Sequence, residues 1–273
     1  MRTLLHSTAS AAGALFGPSH MGPDWASLVR KDMHLHHHLQ MLSTHAPAQV
    51  EQLTVPLGPK DQFALLAIAG DYKAMSLSPK ADVQRAACHL SEHVSAGVEV
   101  VAPANLMRAL AAHWTGKGGR VETLQQEVYM ARQQRSTPAV FPPQVQHSSQ
   151  IPAQRLAEGM AFCWLQTCHQ SVPASAFAQL MQASQAWLWM EQGTVRAFQV
   201  YTPLAADHHM IGQRCGEGEY LPFLFNRLLH ANGHEKPATV CANLNQRNLH
   251  AVQRMKDHKF RSFGQPVLTG AFT

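Results

Sequence analysis

At 273 residues the chain is long enough to bury a core without staples, and 45% hydrophobic against 14% charged residues exclude a disordered protein. Its 22 Lys and Arg against 17 Asp and Glu give a charge of +5, spread as single charges, which favours an acidic small ligand such as a phosphate-bearing cofactor and argues only weakly for a nucleic-acid partner. Five cysteines without a CxxC pair fit neither a disulfide framework nor a zinc ribbon and point to a reducing, cytoplasmic setting, and no run reaches the roughly eighteen apolar residues of a membrane span.

Residues 1–22 read as a flexible leader, with a cleaved targeting peptide as the alternative, because His, Ser and Thr interrupt the apolar run a signal peptide needs. From Asp24 to His45, Trp25, Leu28, Val29, Met33, Leu35 and Leu39 recur at helical spacing. That segment holds His34, His36, His37, His38 and His45 out of 18 histidines. His34 and His38 are one helical turn apart, as zinc ligands can be, but no acidic residue lies between them, so a polar helix face is preferred and no metal is assigned. After Pro47, alternating runs from Gln62 and Asp71 around Gly70 predict a hairpin. A helix over Ala81–His93, a buried strand over Val98–Pro103, a helix over NLMRALAAHW closed by Gly116–Gly119, and a strand over Glu127–Ala131 follow. Four prolines and little charge mark 135–154 as a linker between an N-terminal α/β domain, 23–134, and a second domain, 155–273.

The second part opens with helices over Ala153–Gln170 and Pro173–Ser184. Two strands, AWLWME and VRAFQVYT, then flank a tight Gln192-Gly193 turn. The Trp187 and Trp189 pair reads as core in preference to a substrate wall, and Cys163 and Cys168, five residues apart, as buried small residues. A short strand, HHMIG from His208, leads into Gln213-Arg214-Cys215-Gly216-Glu217-Gly218. An amphipathic helix capped by Gly233, a strand TVCANL, a helix over Asn248–Asp257 and a last strand around Ser262–Val267 complete an α/β crossover.

Gln213–Gly218 follows the pattern Q/R-x-x-G-x-G/A. Glycines after a strand let the main chain approach phosphate oxygens, and the next helix aims free N–H groups and its positive dipole end at the anion. About thirty residues on, Asn248, Ala251, Met255 and Phe260 follow N-x-x-A-x-x-x-Y-x-x-x-G-F, with Met255 at the Tyr position and Lys259 at the Gly position. Two such motifs in register resemble the acyl-CoA-binding half of the GNAT superfamily of N-acetyltransferases.

The resemblance implies an α/β (α+β) fold with a mixed central sheet flanked by helices. The first half, similar in element order but without a glycine turn, resembles a degenerate GNAT-like repeat, as in tandem members. The implied activity is transfer of acetyl from acetyl-CoA to a primary amine of a small molecule or peptide by direct attack, without a metal. The donor would lie on Met210, Ile211, Gln213, Arg214, Cys215, Gly216, Glu217, Gly218 and Asn248, with a main-chain N–H near Met210 and Ile211 polarising the carbonyl. His208 and His209 are the candidate bases, with Asp207 to orient one and Glu191 farther off; a solvated loop role is the alternative for each His. Met255 has no proton to give. Tyr201 and Tyr220 are therefore the candidate replacement acids, with a structural role as the alternative. A non-catalytic binding or regulatory protein of the same fold, and an aminoacyl-tRNA-dependent transferase, stand as the other readings.

Overall fold

A computed structural model describes residues 25–45, 50–59, 61–136, 139–230 and 237–273. The leader, the Pro47 stretch, the Gly233 cap and the side chains of His34 and His45 lie outside the described residues.

Helices α1 (Trp25–Lys31) and α2 (Met33–His45) precede β1 (Glu51–Pro56), β2 (Phe63–Ala69), β3 (Tyr72–Leu77), α3 (Val83–Leu90), β4 (Glu99–Pro103), α4 (Ala104–Thr115) and β5 (Val121–Gln133). The second half runs β6 (Val145–His147), α5 (Ala153–Cys168), α6 (Ala174–Ala183), β7 (Gln185–Glu191), β8 (Thr194–Ala205), β9 (His208–Gly216), α7 (Leu221–Leu228), β10 (Thr239–Asn245), α8 (Leu249–Asp257), β11 (Arg261–Ser262) and β12 (Val267–Phe272). No helix among the described residues is long and apolar enough to cross a membrane.

The strands form one mixed sheet in the order β1-β2-β3-β4-β12-β5-β10-β9-β8-β7-β6, with β11 on β5. In each half a helix links two parallel strands, β3 to β4 and β9 to β10, and each parallel ladder is three residue pairs long. The last strands are exchanged. β5 pairs with β10 of the second half, and β12 pairs with β4 of the first, so each half is completed by the other.

Side chains alternate across a strand, so Tyr129 and Met130 of β5 enter cores on opposite faces. Helices α3, α4, α7 and α8 pack on one face, and α1, α2, α5 and α6 on the other. Gln192 and Gly193 both have positive φ, 49° and 78°, as the expected tight turn between β7 and β8 requires. Trp187 and Trp189 are buried in the core under α7.

Three expectations change. The stretch read as linker contains β6, whose Val145–His147 pairs with β7. The last strand lies at Val267–Phe272, with only Arg261–Ser262 paired before it. Cys163 is buried, but Cys168, the final residue of α5, is exposed.

The histidines of α2 have a structural task. His36 Nδ1 meets Ser76 Oγ at 2.6 Å, His38 Nε2 donates to the Met75 carbonyl at 2.6 Å, and the His37 ring stacks on Tyr129 at 4.3 Å. Burial lowers His38 to about 4, so it is neutral at physiological pH.

Candidate functional site

Strand β9 pairs with β10 only from His208 to Met210 and then continues beside β8 alone to Gly216, while β10 continues beside β5. A wedge therefore opens at Ile211. There β9 bulges, with Gly212 and Gln213 together opposing Val200 of β8. Gln199, 1% exposed, holds the bulge: its Nε2 lies 3.3 Å from the Gly212 carbonyl and 3.2 Å from that of Gln213. A buried amide engaged with both carbonyls fixes the direction of the main chain where the strands part.

The glycine motif sits one step later than its sequence reads. Gln213 to Gly216 belong to β9, so only Glu217–Tyr220 make the turn into α7. The two glycines serve different ends. Gly216 has φ 127°, and a Cβ there would lie 2.4 Å from Ala197 Cα, so contact between β8 and β9 excludes any side chain. A Cβ at Gly218 would meet nothing within 4 Å. Nothing in the fold requires Gly218 to lack a side chain, whereas a ligand approaching the main chain would. Tyr220, the N-cap of α7, makes no side-chain cap bond.

Of the other residues expected to hold a donor, Met210 and Cys215 turn their side chains into the cores facing α2 and α5, away from Ile211. Arg214 is exposed, its guanidinium lowered by burial and by the charge of Arg254 on α8. Two cations thus approach one another between β9 and α8. Glu217 and Glu219 flank Gly218 with the opposite sign. Asn248 caps α8, its Oδ1 accepting from Ala251 N at 3.1 Å. Met255 packs against the core that holds Phe225 and Phe260. Lys259, at the Gly position of the second motif, has φ 66°, the backbone conformation glycine favours there.

The two candidate histidines separate. His209 lies on the face of Tyr201, ring centroids 5.2 Å apart, whereas His208 Nδ1 lies 2.9 Å from Asp207 Oδ1. Adjacent strand residues point to opposite faces, so one active centre cannot use both. Glu191 accepts from Trp189 Nε1 at 2.9 Å, a bond that helps hold its carboxyl below the usual range. Tyr220 is raised by its bond to Glu219 and by Glu191, which disfavours it as an acid.

Tyr201 has a partner that the sequence did not reveal. His147, from β6, accepts the Ser149 N–H at Nδ1, so its Nε2 carries the proton and donates to the Tyr201 oxygen at 2.9 Å. The Tyr201 hydroxyl in turn donates to Gln185 Oε1 at 2.6 Å. His209, Tyr201 and His147 form a run of titratable groups beginning beside the wedge. Only the pairing of β6 with β7 brings His147 there, and His-Ser-Ser in a proline-rich stretch carries no signal of it. Among the described residues no group of three or more His, Cys, Asp or Glu side chains could hold a metal ion.

No family model and no curated protein sequence matches the chain. Solved structures do. A Drosophila protein aligns with a TM-score of 0.57 at 11% identity, over 90% of this chain and 94% of that one. A GCN5-related N-acetyltransferase from Kribbella flavida aligns with a TM-score of 0.50 at 10% identity, over 92% of this chain and 96% of that one. With its splayed parallel strands and exchanged edges, the chain has the fold of the GNAT acetyltransferases over nearly its whole length.

Proposed function

We propose that this chain is an acyl-CoA-dependent N-acyltransferase that moves an acyl group, most simply acetyl, onto a primary amine of a small molecule or peptide. The observation that carries the reading is the parting of β9 from β10 at Ile211, which leads along a bulged strand to Gly218 and the uncapped start of α7. Main-chain N–H groups and the positive end of a helix suit a pyrophosphate, and Arg214 with Arg254 offsets Glu217 and Glu219.

Acetyl-CoA would supply the activated carbonyl. The main chain at Ile211 polarises it, His209 takes the proton from the attacking amine, and Tyr201, supported by the His147 N–H, returns one to the departing thiolate. The five cysteines, all free, fit a cytoplasmic setting.

The test is thermal shift and calorimetry with acetyl-CoA, then thiol release with a panel of amines. Binding that stabilises the folded chain and is lost in Gly218→Glu, followed by turnover, is expected. No shift at saturating acetyl-CoA sinks the proposal. A second reading, a GNAT-fold protein that holds an acyl-CoA without turnover, is favoured by Met255 packed into the core, and binding without thiol release from any amine selects it.

A further inference from the structure

Three thiols gather on the other side of β9, next to the glycine turn. Cys215 immediately precedes Gly216, and its sulfur lies 3.9 Å from that of Cys168, at the end of α5, 47 residues earlier in the chain. It also lies 3.8 Å from the carbonyl of Cys163, five residues back on α5. Cys168 is exposed, whereas Cys215 and Cys163 are buried. Cys163 lines a 270 Å³ cleft shared with Phe162, Thr167, Arg196 and Glu217 of the glycine turn, so small molecules in solvent reach the edge of the cluster.

From this geometry we propose that Cys168 and Cys215 are an oxidation site, at which a hydroperoxide converts the two thiols into a disulfide tying the end of α5 to the strand before the glycine turn. The exposed Cys168 meets the oxidant first. Its sulfur attacks the peroxide O–O bond, becomes a sulfenic acid and releases an alcohol, or water when the oxidant is hydrogen peroxide. The Cys215 sulfur then displaces hydroxide from Cys168 and gives up its proton to it. An S–S bond forms and water leaves.

The order follows from exposure: Cys168 faces solvent, whereas Cys215 is buried, its thiol pushed up by that burial, and meets the oxidant only through Cys168. Closing 3.9 Å to a bond of about 2 Å requires one partner to move. β9 is fixed, because Gly216 is pressed against Ala197. The Cys168 side chain is the one with room to swing in, because it stands exposed at the last residue of α5 while Cys215 is buried. The cross-link joins residues far apart in sequence and does not depend on the acyl-CoA reading.

Hydrogen peroxide treatment of the full chain under native conditions, followed by non-reducing peptide mapping, tests it. The expected product is one Cys168–Cys215 linked peptide pair, a loss of two hydrogens (about 2 Da) and full reversal by dithiothreitol. Cys88, also exposed, keeps its thiol or carries a separate oxygen adduct. The surface variant Cys168→Ser, which leaves the core untouched, loses the linked pair. Cys168 recovered as a sulfinic acid or bonded to another chain, with Cys215 still a thiol, overturns the proposal, and so does a linked pair that survives in Cys168→Ser.

Discussion

The two halves use one topology for opposite ends. In the first, the chain leaves β3 for α3 and the Asp82 carboxylate accepts the Arg85 N–H at 2.9 Å, placing a built-in anion at the helix start. Met75, the first residue of β3 beyond the parallel ladder, has its carbonyl engaged by buried His38. In the second, the residue in the same place is Ile211, where β9 leaves β10, and α7 starts without a side-chain cap. A splayed pair of strands is therefore not itself a site. It is one only where the chain refrains from filling it.

The largest expected effect tests the scaffold of the open half. Gly216→Val puts a side chain against Ala197 at positive φ and should destabilise the protein by about 4 kcal/mol, read as a lower urea midpoint. Next comes the seal of the closed half. His38 titrates at about 4 in the folded chain against 6.5 unfolded, so below about pH 6.5 the unfolded chain binds a proton that the native one refuses. Stability should fall with pH through that window, by about 3 kcal/mol at its foot. His38→Gln, which still donates to Met75, should flatten the dependence in urea titrations at about pH 7 and 4.5. A slope unchanged in the variant would assign the acid sensitivity elsewhere.

Smaller effects separate cap from cleft. Tyr220→Asp copies the carboxylate cap of α3 onto α7 at the expense of the ring stacked on Trp189, and should weaken acetyl-CoA roughly tenfold or more by calorimetry. Tight binding retained in that variant would remove the helix start from the site. Asp82→Ala should lower stability by about 1 kcal/mol and leave the acetyl-CoA response unchanged, since the Asp82 carboxylate already occupies the start of that helix.

Much of this was legible in local pattern. The hairpin turn at Gln192-Gly193 and helices α5 and α6 follow from turn chemistry and apolar spacing, and the second motif located both Phe260 and the strained Lys259. What escaped was partner choice. β5 was read as Glu127–Ala131 because Val121–Gln126 is mostly polar, yet that stretch pairs with β12. Gln213 to Gly216 have no alternation, so the end of β9 looked like turn. His147 belongs to a strand of three residues, too short to show a period.

The exchange of β5 and β12 also sets an order of events. The first half has its helices and four of its strands by Thr115, but β4 gains its second neighbour only when Val267–Phe272 has been made. The chain through Phe272 must therefore leave the ribosome before the opening half can close its sheet. Until then the edges of β4 and β5 that β12 covers stand unpaired, so the nascent chain exposes strand edges for longer than two independent domains of this size would.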